Sequence, residues 1–324
     1  MEKLYRAKRH LRRQSHVIKL QRFGWVIACL LIVAVLAGLV VQIQQLTTEN
    51  GSLKAQLATL STKSSTCSVV GNWTANQSKQ ESLGVDGMQR SYLIHLPTGF
   101  KNSTYYPLVL FFVGRGASVQ AAEQAYNLDQ LPAIVVYPTP TVGGQDMTAW
   151  QSAPYSSGAN DVAFTSAILS NVQSNLCIDR DHIYATGMSN GGGLVSLLSC
   201  ELPDRFAAYA VVAGAFYLPD GNCKPPKPTP LISIHGDQDR TVPYDGSLTR
   251  QLPATEDWVT QRAADNGCKK SPTTTYPSTN IVATTWIGCK NDATVENIRV
   301  EGGGHEWGGL PNTSLWQFLS QFSL

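Results

Sequence analysis

The amino-acid sequence predicts an α/β domain with a mostly parallel central sheet and helices on both faces. Short, continuously apolar runs indicate buried strands, and they alternate with segments whose apolar residues recur at helical spacing. Strands buried on both faces need a helical layer on each side. Ligands of such sheets bind at the carboxyl ends of the strands, which is where residues that carry out chemistry are expected.

The predicted elements follow one another from residue 90 to residue 322. Apolar or alternating runs bounded by turn residues predict strands at 90–97, 107–114, 133–138, 182–187, 207–214, 230–236 and 297–304. Longer stretches with helical periodicity predict helices at 161–176, 192–200, 256–265 and 314–322.

The N-terminus carries an asymmetric charge. Residues 1–22 contain eight Lys or Arg and a single acid, so the rest of the chain has 17 basic and 22 acidic residues. The apolar stretch 23–41 follows directly, and its nineteen uncharged residues are long enough to span a bilayer as a helix. The positive-inside rule then puts residues 1–22 in the cytoplasm and exports the remainder. Membrane topology explains the basic tail better than nucleic-acid binding does, so no nucleic acid is expected as a partner.

Two alternatives remain open for this region. A cleaved signal peptide, cut near Ala37, would secrete the chain, whereas an uncleaved span would anchor it; the length of the apolar and basic stretches favours the anchor. Residues 42–66 form a linker in which a short heptad pattern at 43–60 indicates either a homodimeric coiled coil or an unpartnered helical stalk. Residues 67–324 form the exported domain.

Cysteine usage agrees with export. Cys29 lies inside the apolar span, and six further cysteines, an even number, lie in the exported region: Cys67, Cys177, Cys200, Cys223, Cys268 and Cys289. We expect three disulfides, with Cys268–Cys289 the best single pairing because it closes a short loop. No metal-ligand spacing is present, and neither a metal nor a cofactor is expected.

The segment ATGMSNGGG carries the strongest chemical signal. Ser189 stands in G-x-S-x-G between a predicted strand and a predicted helix, as a nucleophile elbow requires. A serine N-cap in a glycine-rich turn is the alternative. A serine hydroxyl needs a base, and His305, in the glycine-rich loop after a late strand, is the best placed histidine. Asp239 follows the strand at 230–236 and is the expected orienting acid, while Asp237 is expected to cap the turn.

The order Ser189, Asp239, His305 is that of the α/β-hydrolase fold. The expected oxyanion donors are the backbone N–H groups of Asn190 and of Arg115, in the loop FFVGRGAS. Trp150 and Trp307 are candidate substrate-binding residues, with packing beneath the loops as the alternative.

The region from about residue 90 to residue 307 resembles feruloyl esterases and polyhydroxybutyrate depolymerases, which are grouped with carbohydrate esterase family one. The likeness rests on RSYLIHLP, NDVAFTSAI, CIDRDHIYATGMSNGGG, LLSCELPDRFAAYAVVAG, HGDQDRTVPY, NGC and GGGHEWGG. The resemblance implies that Ser189, Asp239 and His305 form a catalytic triad. Two departures are Val113, where the family usually has histidine before Gly114, and Gly308, where proline is common.

The residues and the resemblance together predict a membrane-anchored, extracytoplasmic serine esterase. The expected substrates are feruloyl or acetyl esters of plant polysaccharide, with polyhydroxybutyrate as the runner-up. A surface protein that binds glycans without catalysis is the alternative from another class.

Overall fold

The computed structural model describes residues 38–39, 42–45, 67–151, 153–217, 223–269, 271–307 and 312–324. The chain divides into two units, Met1–Thr66 and Cys67–Leu324, and the second contains the whole sheet. The expected basic tail, the membrane span at 23–41 and the stalk with its dimer seam lie almost wholly outside the described residues. Among the residues that are described, no helix is both long and apolar enough to cross a membrane.

The described part of the second unit is built on a ten-stranded sheet in the order β1-β2-β4-β3-β7-β8-β9-β12-β11-β10, beside a two-stranded hairpin, β5–β6. The strands are β1 Ser78–Val85, β2 Met88–His95, β3 Tyr106–Phe112, β4 Ile134–Pro138, β5 Thr141–Val142, β6 Thr148–Ala149, β7 Ile178–Met188, β8 Ala208–Val212, β9 Leu231–Gly236, β10 Thr273–Ser278, β11 Ile281–Trp286 and β12 Val295–Val300. The six strands from β4 to β12 in this order are parallel, and the two strands at each edge are antiparallel. This is the mostly parallel sheet that the sequence predicts.

Five helices connect or close these strands in the described residues: α1 Val119–Tyr126, α2 Asp161–Asn175, α3 Asn190–Glu201, α4 Thr255–Asp265 and α5 Asn312–Leu319. The chain moves one way along the sheet from β3 to β4 and the other way from β4 to β7 and β8. Because crossover connections are right-handed, α1 lies on one face and α2 and α3 lie on the other. Asn312 donates a hydrogen bond from Nδ2 to the carbonyl of Tyr126, which puts the start of α5 beside α1.

The reversal of direction fixes where a ligand can bind. It occurs between the neighbouring strands β3 and β7, and the crevice outside the carboxyl ends of two such strands is the usual binding site of an open α/β sheet. The loop at 113–118 leaves β3 there, and Ser189 leaves β7 there. The fold therefore brings the expected nucleophile and the expected oxyanion loop to one edge.

Three disulfides join the six cysteines of this unit in the pairs Cys67–Cys177, Cys200–Cys223 and Cys268–Cys289. The expectation of three bonds and the specific pairing of Cys268 with Cys289 are both confirmed. Disulfides persist in oxidising compartments, so this set fits an extracellular location.

Candidate active site

Ser189 occupies a sharp turn between β7 and α3. Its backbone angles are φ 56° and ψ −124°, a region that residues with a side chain rarely adopt. The Ser189 N–H donates to the carbonyl of Val212 at 2.9 Å, and its own carbonyl accepts from Ala215 at 2.9 Å. These bonds to the end of β8 and to the residues after it hold the strained turn in place.

Gly187 and Gly191, on either side of Ser189, lie so close to neighbouring backbone atoms that only glycine fits at these positions. A Cβ at Gly191 would lie 2.0 Å from the carbonyl oxygen of Phe112 in β3, and one at Gly187 would lie 2.7 Å from the backbone of Gly191. No side chain fits at either position, so G-x-S-x-G is dictated by the contact between this turn and the end of β3. The strand-turn-helix context expected for a nucleophile elbow is present.

Asp239 lies in the turn after β9 and is buried. Its Oδ1 accepts hydrogen bonds from the N–H groups of Thr241 and Val242, each at 2.8 Å. Its Oδ2 faces two histidines, with His305 Nδ1 at 2.7 Å and His235 Nε2 at 3.1 Å. The carboxylate is therefore fixed by four hydrogen bonds.

These bonds determine the charge of Asp239. Burial alone would raise the pKa of its carboxyl group, but the hydrogen bonds from His235, His305 and the Val242 N–H outweigh burial and hold the pKa far below the usual range. The carboxylate stays ionised throughout the neutral range and can orient an imidazole.

The loop that carries His305 is attached to the turn after β9 by backbone contacts. The Gln238 N–H donates to the carbonyl of Gly303 at 2.9 Å, and Oδ1 of Asp237 accepts from the Gly302 N–H at 2.8 Å. Asp237 thus joins the two loops, whereas Asp239 accepts the N–H groups within the turn; the expectation that Asp237 caps this turn is wrong. Because an ionised carboxylate only accepts, His305 Nδ1 must carry the proton, which leaves Nε2 with a lone pair.

His305 is the histidine of this pair that solvent can reach. Its side chain is 19% exposed, whereas that of His235 is fully buried. The hydrogen bonds of the described residues join His305 to Asp239 and not to Ser189. In an unliganded site such a bond commonly forms only when substrate binds.

His235 contributes more than the sequence indicates. It is the last residue but one of β9, and one of its hydrogen-bond partners is Asp239 itself. Its Nε2 faces two acceptors, Asp239 Oδ2 and the carbonyl of Val242 at 2.8 Å, so Nε2 carries the proton. The Thr255 hydroxyl, 3.1 Å from Nδ1, then donates to this ring.

The loop after β3 lies directly against the nucleophile. A Cβ at Gly114 would lie 3.3 Å from Cβ of Ser189 and 3.8 Å from its Oγ, so the backbone before Arg115 passes beside the hydroxyl. The Asn190 N–H is in the first turn of α3, where backbone donors lack a partner within the helix. Asn190 and the loop that holds Arg115 thus lie next to Ser189, and the donor role of their N–H groups stays a prediction.

The side chain of Arg115 secures this loop to the β5–β6 hairpin. Its Nη2 donates to the carbonyl of Gly144 at 3.1 Å and to Gln145 Oε1 at 2.9 Å, and the guanidinium lies 4.1 Å from the centre of the Tyr155 ring. The valine at 113, where the resembling family usually has histidine, is fully buried.

The prediction that Trp150 binds substrate requires a correction. Its ring is fully buried, so it cannot face a substrate in this structure, and the alternative of packing beneath the loops is the one observed. Its Nε1 donates to the carbonyl of Val113 at 2.7 Å, and its backbone N–H donates to Asn190 Oδ1 at 2.7 Å. Trp150 therefore joins the loop before Arg115 to the start of α3, a supporting position that its sequence context does not reveal.

Trp307 is only partly buried. It packs against Phe111 and Tyr126, with ring centres 5.2 and 5.1 Å apart, and the Tyr126 hydroxyl lies 3.4 Å from the sulfur of Met188. Because Met188 precedes Ser189, this aromatic cluster lies beside the elbow and remains a candidate substrate surface.

The sheet order, the strained elbow and the Asp239–His305 pair define the class of protein as an α/β hydrolase. The family model described as "Esterase PHB depolymerase" matches residues 90–221. Feruloyl esterase B of Piromyces equi is 29% identical over 252 residues, which cover 72% of this chain and 46% of that protein. Probable feruloyl esterase C of Aspergillus terreus is 28% identical over 264 residues, which cover 75% of this chain and 89% of that protein.

Solved structures agree on the fold. The acetyl xylan esterase from Aspergillus awamori superposes with a TM-score of 0.58 at 16% identity, covering 75% of this chain and 99% of that one. The chain is thus similar to α/β hydrolases of the feruloyl esterase and polyhydroxybutyrate depolymerase type, and the comparisons support its classification as a serine carboxylic ester hydrolase. The match spans less than half of the Piromyces relative.

Proposed function

We propose that this protein hydrolyses carboxylic esters by a Ser189–His305–Asp239 triad through an acyl-enzyme. The observation that carries the proposal is the 2.7 Å contact between His305 Nδ1 and Asp239 Oδ2, at the sheet edge where Ser189 leaves β7. This contact fixes the tautomer in which Nε2 is free to accept a proton.

In the first half-reaction, Ser189 Oγ attacks the ester carbonyl carbon while His305 Nε2 takes the hydroxyl proton. The backbone N–H groups of Asn190 and Arg115 stabilise the negative charge that develops on the carbonyl oxygen. The intermediate collapses, the bond to the alkoxy oxygen breaks, and His305 returns the proton to the departing alcohol. In the second, His305 takes a proton from the water that attacks the acyl-Ser189 carbonyl; the bond to Ser189 Oγ then breaks, His305 returns the proton to Oγ, and the acid leaves.

The substrates we propose are feruloyl or acetyl esters of plant polysaccharide. The names of the relatives, feruloyl esterase and acetyl xylan esterase, support this class. The partly exposed Trp307, beside the elbow, offers an aromatic surface on which a hydroxycinnamoyl or sugar ring can stack. Polyhydroxybutyrate is the second candidate, because the matching family model carries that description.

We further propose that residues 23–41 anchor the enzyme in a membrane, with residues 1–22 in the cytoplasm. The support is the nineteen-residue uncharged stretch and the basic tail before it.

A substrate panel tests the proposed activity. Purified protein should hydrolyse p-nitrophenyl acetate, and Ser189→Ala should lose this activity while keeping the wild-type melting temperature. Methyl ferulate, acetylated xylan and hydroxybutyrate oligomers then rank the substrate classes. Equal rates for wild type and Ser189→Ala would contradict the proposal and favour a glycan-binding protein without catalysis.

A further inference from the structure

A second cluster of polar side chains lies where β1, β2 and α1 meet, and the esterase mechanism does not use it. His95 ends β2, and its cross-strand partner in the register is Ser78 of β1. Glu123 projects from α1, and Asp129 lies in the short turn of helix that follows α1. We propose that His95, Glu123 and Asp129 bind a zinc ion.

The spacing of the three side chains suits a shared metal. His95 Nδ1 lies 3.4 Å from Asp129 Oδ2 and 3.8 Å from Glu123 Oε1, and one ligand atom from each residue lies within 4.8 Å of the other two. Both distances from His95 are longer than an ordinary charged hydrogen bond. Two ligands of a tetrahedral zinc ion, with bonds of 2.0–2.2 Å, lie about 3.4 Å apart.

The burial and charge of the cluster call for a cation. The side chains of His95, Glu123 and Asp129 are only 7%, 14% and 18% exposed. In the part of the chain that the structure describes, neither carboxylate pairs with a lysine or an arginine. Two buried carboxylates without a cation carry a large desolvation cost, and a divalent ion neutralises both.

Neighbouring hydroxyl groups hold the carboxylates in position. The Tyr137 hydroxyl donates to Asp129 Oδ1 at 2.7 Å, which turns Oδ2 towards His95. The Ser78 hydroxyl donates to Glu123 Oε1 and lies 2.8 Å from His95 Nδ1. Partners of this kind orient metal ligands in known sites.

The imidazole can present Nδ1 as a ligand. Only 6% of the surface of His95 is exposed, and its Nε2 makes no hydrogen bond within the described residues. A hydrogen bond to one ring nitrogen usually decides which of the two nitrogens carries the proton. Among the described residues, no donor faces Nε2, so nothing prevents Nε2 from carrying the proton. The proton can therefore reside on Nε2 and leave the Nδ1 lone pair facing the carboxylates.

The donor set favours zinc over other common ions. One imidazole nitrogen and two carboxylate oxygens, with a fourth position for water or the Ser78 hydroxyl, match the ligands that Zn²⁺ accepts in tetrahedral sites. Calcium requires six to eight oxygen ligands and does not suit this set. The sequence predicts no metal, because these three residues share no ligand-spacing motif and come together only through the fold.

Zinc binding to the full-length protein, stripped with a chelator, tests the proposal. We expect one zinc ion per chain by elemental analysis after dialysis, in competition with a chromophoric chelator, and a melting temperature that rises until one equivalent has been added. Glu123→Gln should bind zinc at least tenfold more weakly. Asp86→Asn, which changes an exposed carboxylate in the β1–β2 turn, should bind zinc like the wild type.

Tyr137→Phe provides a second test that keeps every ligand. Loss of a group that orients a ligand weakens metal binding by about 10- to 100-fold, and we expect a loss in this range. Equal zinc affinity and stoichiometry in wild type, Glu123→Gln and Tyr137→Phe would overturn the proposal, as would absence of zinc from the wild type. Tighter binding of Ca²⁺ than of Zn²⁺ would also overturn it, because it would exclude the imidazole ligand.

Discussion

His305 Nδ1 lies 2.7 Å from Asp239 Oδ2, although 66 positions separate the two residues in the chain. The contact exists because β9 and β12 are parallel neighbours, so the turns that follow them emerge at the same edge of the sheet. A Cβ at Gly236 would lie 2.3 Å from the carbonyl oxygen of Gly303, which shows how closely the two turns pack. The order of the strands in the sheet, and not proximity in sequence, thus brings Asp239 and His305 together.

The depressed pKa of Asp239 predicts how stability depends on pH. The unfolded chain protonates this carboxyl near pH 4, and the folded protein only at lower pH. The stabilisation is fully present above about pH 4 and is lost as the pH falls towards the folded pKa. We expect the difference in free energy of unfolding between wild type and Asp239→Asn, measured by urea titration, to be constant from pH 7 to pH 5 and to shrink below pH 4.

The exposed Asp86 provides the control for this prediction. Asp86→Asn should change the free energy of unfolding little at any pH. A difference between wild type and Asp239→Asn that grows on acidification would contradict the hydrogen-bond account of Asp239.

We predict that His235 positions the Asp239 carboxylate, which orients His305, and that His235 does not touch the substrate. His235→Gln removes the imidazole that donates to Asp239 Oδ2, and the carboxylate can then shift relative to His305. Because small misplacements of catalytic groups are costly, we expect kcat to fall by about 10- to 100-fold with KM nearly unchanged. His182→Gln, which changes a part-exposed histidine paired with Asp179, should leave both constants unchanged. A raised KM with normal kcat in His235→Gln would indicate a substrate contact instead.

The elbow should tolerate no side chain at residue 191. Gly191→Ala places a Cβ 2.0 Å from the Phe112 carbonyl oxygen, so β3 and α3 must separate. We expect a loss of about 3 kcal/mol in the free energy of unfolding, together with loss of esterase activity. Gly84→Ala is the matched control, since the nearest atom to its new Cβ, the Gln89 side-chain oxygen, lies 3.9 Å away. Equal stability of the two variants would show that the close approach is absent in solution.

A buried ion pair supports the loop that carries Trp150. Arg90 Nη2 lies 2.8 Å from Asp161 Oδ1, and Asp161 Oδ2 accepts from the Gln151 N–H at 2.6 Å. Asp161→Asn leaves the Arg90 guanidinium buried without its counter-charge, which we expect to cost about 3–5 kcal/mol in chemical denaturation. Breaking the more exposed Lys79–Glu81 pair with Glu81→Gln should cost no more than about 1 kcal/mol. Comparable losses for the two variants would contradict the assigned role of Arg90 and Asp161.

The central strands, α2, α3 and the elbow could be predicted because their signals are local. Continuous apolar runs identify buried parallel strands, and G-x-S-x-G is imposed by backbone contacts at one turn. The edge strands β1 and β10 gave no such signal. All six residues of β10 are exposed, and most of β1 is polar, so neither shows the pattern of a strand buried on both faces.

Other features depend on contacts that no local pattern encodes. The sequence indicates an aromatic ring at Trp150, but only its hydrogen bonds to Asn190 and Val113 decide that this ring faces inward. The second histidine on Asp239 and the His95 cluster likewise arise from side chains on separate elements. Residue type suggested what these groups can do, and the strand order determined which of them meet.

Covalent labelling of the nucleophile tests the central claim most directly. A fluorophosphonate reacts with a serine only when a neighbouring base activates it, so the full-length protein should acquire one adduct, which peptide mass spectrometry should locate on Ser189. His305→Gln should slow this labelling at least a hundredfold while keeping the wild-type melting temperature. Labelling of another serine, or an equal rate at Ser189 in the two proteins, would contradict the account.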